Sequence, residues 1–193
     1  MHLLALSGSL RIGSSNTTLL EAAARLAPSN ATVTLWNDLG ALPHFNPDLE
    51  SADATRLPAI VAEWRAAVGK ADALLLSTPE YARGLPGSFK NALDWLVGSL
   101  DFPGKAVAIL SPSARSVHAR AQLRLVLTTM SARVIERPSS VIQLPGRDMT
   151  LMDILDNPEV SDSIRSAMSE IVDDVHRILN DPSVSIDAPH DPA

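Results

Sequence analysis

Short apolar runs alternate along this chain with longer segments whose apolar residues recur every three or four positions. Residues 2–6 are apolar, brief and followed at once by Ser7, Gly8 and Ser9, which predicts a buried strand with a turn behind it. Residues 16–27 have helical spacing, with Asn16 placed to act as N-cap and Pro28 beyond the end. Residues 31–36 alternate and are rich in β-branched side chains, a second strand. A polar loop holding Pro43, Pro47 and Pro58 follows. The pattern then predicts a helix over 59–70, a buried strand over 71–77 that stops before Pro79, a helix over 88–98 and a strand over 105–111. An amphipathic helix over 117–132 comes next, then a fifth strand between Arg133 and Leu144 interrupted by Pro138, and a last helix over 160–179.

Continuously apolar strands alternating with helices imply a parallel sheet covered on both faces. Five such units suit an open, doubly wound α/β sheet, because an eightfold barrel needs more chain. Ligands bind these sheets beyond the carboxyl ends of the strands, near the point where the strand order reverses. The segments after the first, third and fourth strands are therefore where chemistry is expected.

Composition narrows the function. The 193 residues suit one domain, taken as residues 1–180, with a proline-bearing tail over 181–193 expected to be flexible. Sixteen basic against 22 acidic residues leave a net charge of −6. Nucleic acids and anionic membranes call for clustered Lys and Arg, so neither is an expected partner. No cysteine is present. That removes disulfides, thiolate metal sites and Cys nucleophiles, and it suits a reducing, cytoplasmic setting. No apolar stretch reaches the roughly 18 residues of a membrane span, and the first residues lack the basic flank of a signal peptide. His2, His176 and His190 have no spaced partners, so no metal site is expected. Asp153, Asp156, Asp173 and Asp174 read most simply as solvated helix charges. A G-x-S-x-G elbow is absent, which leaves a serine hydrolase unsupported.

After the first strand, Gly8-Ser9-Leu10-Arg11-Ile12-Gly13-Ser14-Ser15-Asn16-Thr17 offers flexible backbone, hydroxyls and a guanidinium just before a helix. A helix N-terminus with such donors makes a phosphate cradle. A polar turn that merely caps the helix is the other reading, and both stay open. Gly8 and Gly13 have P-loop spacing, but Ser14 stands where the lysine belongs, and no G-x-G-x-x-G occurs. One terminal monophosphate fits better than a triphosphate or a dinucleotide. After the third strand, Pro79-Glu80-Tyr81-Ala82-Arg83-Gly84-Leu85-Pro86-Gly87 is a proline-stiffened loop whose backbone amides can bond the edge of a flat heterocycle, beside Tyr81. It also reads as a rigid connector, with Phe89 and Trp95 in the core or in a subunit contact.

These two blocks, together with Asp38-Leu39, Leu42-Pro43 and Asn46-Pro47-Asp48-Leu49, resemble the NADPH-dependent FMN reductase family over residues 1 to 135. That family, which includes chromate, quinone and azo-dye reductases, has a flavodoxin-like fold. The resemblance implies a three-layer sandwich around a five-stranded parallel, doubly wound sheet, with FMN as cofactor and NADPH or NADH as co-substrate. By position it assigns Ser9, Arg11, Ser15, Asn16 and Thr17 to the FMN phosphate. Pro79, Glu80, Tyr81 and Ala82 would line the isoalloxazine ring, largely through backbone groups, and Ser111 with the turn after it would close the ring's other side. This chain departs from the family at Ala82, where Asn is frequent, and at Ser111-Pro112-Ser113-Ala114-Arg115-Ser116, where a glycine-rich turn is common.

A flavin carries the difficult chemistry itself, so binding residues are named and no catalytic side chain. Arg83, Arg115 and His118 stand either at the phosphates of the nicotinamide donor or in solvent, and His44 at the acceptor or in a plain loop. Leu85, Phe89, Leu93, Trp95 and Leu96 form either a subunit interface or intrachain core; a homodimer or homotetramer is expected. The functional expectation is hydride transfer from nicotinamide to flavin and on to a small quinone, azo, chromate or flavin acceptor. The alternative is a non-enzymic electron carrier or redox-responsive binding module on the same fold.

Overall fold

The computed structural model describes residues 1–50, 57–135, 137, 140–146 and 148–181. Five strands, β1 (His2–Ser7), β2 (Thr32–Leu35), β3 (Ala73–Ser77), β4 (Ala106–Ile109) and β5 (Arg133–Ile135), form one sheet in the order β2-β1-β3-β4-β5. Every pairing is parallel. This is the flavodoxin-like order: the chain steps from β1 to β2 on one side, then crosses back to lay β3 on the other. The reversal falls between β1 and β3, where such folds bind ligands.

Successive strand residues point to opposite faces, and the central strands are buried on both, so β4, β3 up to Ser77 and the middle of β1 are apolar, while edge strand β2 alternates, with Thr32 and Thr34 exposed. On one side Leu3, Ala5, Leu75 and Ala108 pack against α1 (Ser15–Leu26) and the long α6 (Pro158–Asn180). Alanines on both strand and helix let these layers approach closely. On the other side Leu4, Leu6, Leu74 and Val107 meet α2 (Ala59–Lys70), α3 (Gly87–Asp94) and α4 (Val117–Thr129). The fully buried Trp64, Phe89 and Trp95 lie in that second core.

The structure corrects several expectations. Asn16 is not the N-cap of α1; Ser14 holds that place and Asn16 sits inside the first turn. The expected helix over 88–98 ends as α3 at Asp94. β5 has three residues, and the chain rejoins the sheet at a bridge between Ser111 and Val141. A short helix, α5 (Leu151–Leu155), was unforeseen; a reciprocal capping box between Thr150 and Asp153 starts it. Asp153 is therefore a cap, and its bonds to the Thr150 backbone and hydroxyl hold its pKa below the usual carboxylate value. α6 begins at Pro158, two residues early, with Asn157 capping Val160 N at 3.2 Å. Of the two readings of Leu85, Phe89, Leu93, Trp95 and Leu96, the structure gives intrachain core: all but the half-buried Leu85 are buried. Residues 182–193 of the expected tail lie outside the described residues, as does Pro138.

Asp174 is the largest departure from a solvated charge, being wholly buried. Arg137 grips it with Nε at 2.7 Å and a terminal nitrogen at 2.6 Å, and Arg177 reaches the same carboxylate. The ion network ties the segment after β5 to α6. Both arginines still reach solvent, at 35% and 57% side-chain exposure. The cost of breaking the network is therefore asymmetric. Removing the two cations with Arg137→Leu and Arg177→Leu strands a buried carboxylate and should cost about 3–5 kcal/mol in urea unfolding. Asp174→Leu leaves guanidiniums that can hydrate, and should cost about 1–3 kcal/mol.

Candidate functional site

β1 and β3 end side by side, with Ser7 in register with Ser77. The chain beyond them has no room for a side chain. Gly8 N–H donates to Ser77 O at 2.7 Å, and a Cβ on Gly8 would lie 2.5 Å from Thr78 Oγ1 and 2.9 Å from Phe89 Cγ. Gly8 thus serves close approach rather than a turn; left-handed backbone in this loop belongs to Gly13, at φ +68°. The loop hydroxyls organise the approach to α1. Ser7 Oγ accepts from Thr17 Oγ1 at 2.8 Å and from Ser9 N at 3.3 Å, and Ser9 Oγ accepts from Arg11 N at 3.3 Å. Ser14 makes no side-chain cap bond, so its hydroxyl does not compete for the amides of the first turn.

The Arg11 guanidinium folds back over this opening. It donates to Gly13 O at 2.9 Å and to Asp148 Oδ1 at 3.4 Å, and both side chains are mostly exposed. Asn16 points inward instead. It is buried, and its Oδ1 accepts from Ser77 Oγ at 2.9 Å, a strut between the start of α1 and the end of β3.

The loop after β3 is gripped from α4. Glu80 Oε2 accepts from Ala119 N at 3.0 Å, so this carboxylate caps the first turn of α4, where the helix dipole favours it. Tyr81 and Gly84 exchange both backbone hydrogen bonds, at 3.1 and 3.0 Å. Between them Ala82 and Arg83 have φ of +49° and +61°. That is the backbone of a type I′ turn, which Asn and Gly normally supply. Left-handed backbone costs ordinary residues about 1–2 kcal/mol each. Gln122 of α4 closes the turn, its Oε1 accepting from Leu85 N at 2.7 Å. Tyr81 is left half in solvent, 55% exposed.

Ser111 continues β4 and is spent on structure. Its N–H donates to Ser140 O and its O accepts from Ile142 N, both at 2.8 Å, and its hydroxyl donates to Ser113 O at 2.8 Å. Arg83, Arg115, His118 and His44 are all exposed. The structure therefore brings Ser9, Arg11, Ser15, Asn16 and Thr17 together at the mouth of α1. It joins them, through the contacts of Gly8 and Asn16 with Ser77, to Pro79, Glu80, Tyr81 and Ala82; Ser111 stands one strand further over.

Two supports of this edge went unread in the sequence. Asn91 and Trp95 both donate to Pro43 O, at 2.9 and 2.8 Å, while Asn91 Oδ1 accepts from Phe45 N at 2.7 Å. Phe45 also packs edge-on against Trp95, with ring centroids 5.1 Å apart. The loop after β2 is thereby pinned to α3. Gln122 is the other. Its partner lies 37 residues away, and no local pattern marks it.

Glycine positions at this edge should respond in opposite directions in chemical denaturation. Gly8→Ala should cost about 1–3 kcal/mol, because the added carbon meets packed atoms on two sides. A Cβ on Gly87 would meet nothing within 4 Å, so Gly87→Ala should gain about 0.4–1 kcal/mol. Ala82→Asn should gain about 0.5–1 kcal/mol, since Asn tolerates the left-handed region.

The profile of the NADPH-dependent FMN reductases matches residues 1–144. An NAD(P)H-dependent FMN reductase of Pseudomonas aeruginosa is 38% identical over 147 residues, covering 74% of this chain and 77% of the relative. A 2-hydroxy-1,4-benzoquinone reductase from a Burkholderia species is 34% identical, covering 70% and 75%. Among solved structures, a flavoenzyme NAD(P)H:(acceptor) oxidoreductase from Paracoccus denitrificans superposes with a TM-score of 0.75 at 26% identity, covering 91% of this chain and 97% of that one. Sequence, strand order and the paired loops at the switch point agree: the chain belongs to the NADPH-dependent FMN reductase family.

Proposed function

We propose that this enzyme holds FMN across the β1/β3 switch point and uses it to oxidise NADPH or NADH at the expense of a small quinone-class acceptor. The observation that carries this reading is the junction at Ser77. One residue touches both Gly8 of the first loop and Asn16 of α1, so a cradle and a stiff backbone loop open side by side.

The residues present fit the cofactor. A mononucleotide has a doubly charged phosphate at one end and a flat ring at the other. At the mouth of α1 the donor set is a guanidinium, the hydroxyls of Ser9 and Ser15, and a helix N-terminus without a side-chain cap, which suits a dianion; Thr17 joins them by turning its hydroxyl from Ser7 Oγ. The loop over 79–87 offers held backbone and an exposed Tyr81. When bound, FMN accepts hydride from the nicotinamide and passes the electrons to the acceptor. The chain's own part is to orient. Arg11 leaves Asp148 for the phosphate, Asn16 keeps α1 in register with β3, and the 81–84 turn presents its backbone to the ring. Ser111 closes the far side through the turn that follows it.

We place the enzyme in the cytoplasm and assign it a homodimer or a higher symmetric assembly. No helix among the described residues is long and apolar enough to cross a membrane. Val117 and Leu125 are 54% and 67% exposed, with exposed Ala121 between them at helical spacing. An uncovered apolar stripe of this kind supports a contact between copies through α4. The family relatives are named as reductases, and nothing at the site favours the carrier alternative.

Purified protein reconstituted with FMN should show flavin absorption that bleaches under NADPH or NADH without oxygen and returns on adding a quinone. Protein that stays colourless overturns the reading. Arg11→Ala should weaken FMN about 10- to 100-fold, the weight of a charge-assisted bond to phosphate. Unchanged affinity would move the phosphate elsewhere. In sedimentation, Leu125→Glu should shift the protein toward monomer if α4 seats the second copy.

A further inference from the structure

We propose that Gln122 is a positioning residue for the flavin ring, holding the 81–85 turn in its left-handed form before the cofactor arrives. This rests on the reading that residues 79–82 line the ring. Ala82 and Arg83 adopt positive φ without being Asn or Gly, so the loop on its own leans toward right-handed alternatives. The pair of bonds between Tyr81 and Gly84 closes the turn but lies wholly within it. The restraint from outside is Gln122 Oε1, which accepts the Leu85 N–H at 2.7 Å. It comes from α4, whose first turn is already fixed to the other end of the same loop by Glu80 Oε2 on Ala119 N. Helix α4 thus grips the loop at residues 80 and 85. Gly84 lets the amide sit this close, since a Cβ there would lie 3.1 Å from Gln122 Oε1 and press it back by a few tenths of an ångström. A ring bound largely by backbone groups gains affinity when that backbone is formed beforehand, because no ordering cost is left for the binding step.

Gln122 is exposed, so its replacement spares the core. Three variants separate positioning from mere support: Gln122→Leu, which removes the acceptor; Gln122→Glu, which keeps one; and Gln122→Leu combined with Ala82→Asn and Arg83→Gly, which writes the turn's preference into the turn. Two readouts are used. In the apoprotein, trypsin should cut after Arg83 several-fold faster in Gln122→Leu than in wild type, and at the wild-type rate in Gln122→Glu. In FMN titrations followed by quenching of flavin fluorescence, Gln122→Leu should raise Kd about tenfold. Gln122→Glu should stay near wild type. The Asn-Gly turn lacks the Arg83 cleavage site, so it is read by titration alone; it should restore affinity to the Gln122→Leu protein without restoring the bond. Gln122→Leu protein that binds FMN like wild type overturns the proposal, even if trypsin cuts it faster. So does a loss of affinity that the Asn-Gly turn fails to restore. Wild-type protein that does not quench FMN overturns the underlying cofactor reading as well, which distinguishes that failure from the other two.

Discussion

The carboxyl edge of this sheet is built on a contact with no space in it. Gly8 follows β1 so closely against Ser77, Thr78 and Phe89 that a single added carbon would collide with a side chain on two sides. The chain leaving β1 passes this close to Thr78 and Phe89 only because its first residue is glycine. The consequence reaches well past the glycine. With β1 and β3 closed together, the first turn of α1 comes within hydrogen-bond reach of Ser77, and Asn16 locks it there. A helix N-terminus, with its partial positive charge, is thereby fixed beside the loop that leaves β3.

Two loops at this edge are held by elements that do not adjoin them in sequence. The loop after β3 takes its shape from α4 through Glu80 and Gln122, and the loop after β2 hangs from α3 through Asn91 and Trp95. In an enzyme whose cofactor performs the chemistry, this is where the protein's contribution resides. Its side chains act by fixing backbone. The block from Pro79 to Trp95 is then understood in two halves: the first half forms the loop, and the second, by way of Asn91 and Trp95, anchors a different loop 48 and 52 residues away.

Much of the fold was legible because burial on both faces leaves the central strands almost no polar positions. β1, β3 and β4 stand out as unbroken apolar runs, and their order follows from the alternation with helices. The boundaries were read less well. Asn16 looks like a cap because Asn is a good one, yet Ser14 occupies that position and the amide is drawn inward by Ser77. α5 had a readable signal in Thr150 and Asp153 at capping-box spacing, but its five residues show too little periodicity. Asp174 falls on the apolar stripe of α6, three residues after Ile171 and four before Ile178, where Asp173 does not; that periodic signal went unread, and the structure buries Asp174 there beside Arg137 and Arg177.

Local chemistry in the sequence determined where the chain must be strand, where it must turn, and which segments carry donors suited to a phosphate and a flat ring. These are properties of neighbours along the chain, and hydrophobic periodicity and residue type report them directly. Only the tertiary structure decided what each donor is spent on. The hydroxyl of Ser111 and the carboxylate of Glu80 turn out to serve the protein itself, while Gln122 governs a turn 37 residues away. The reason is reach. A hydrogen bond acts over about 3 Å of space regardless of separation along the chain, and packing alone sets which groups come that close.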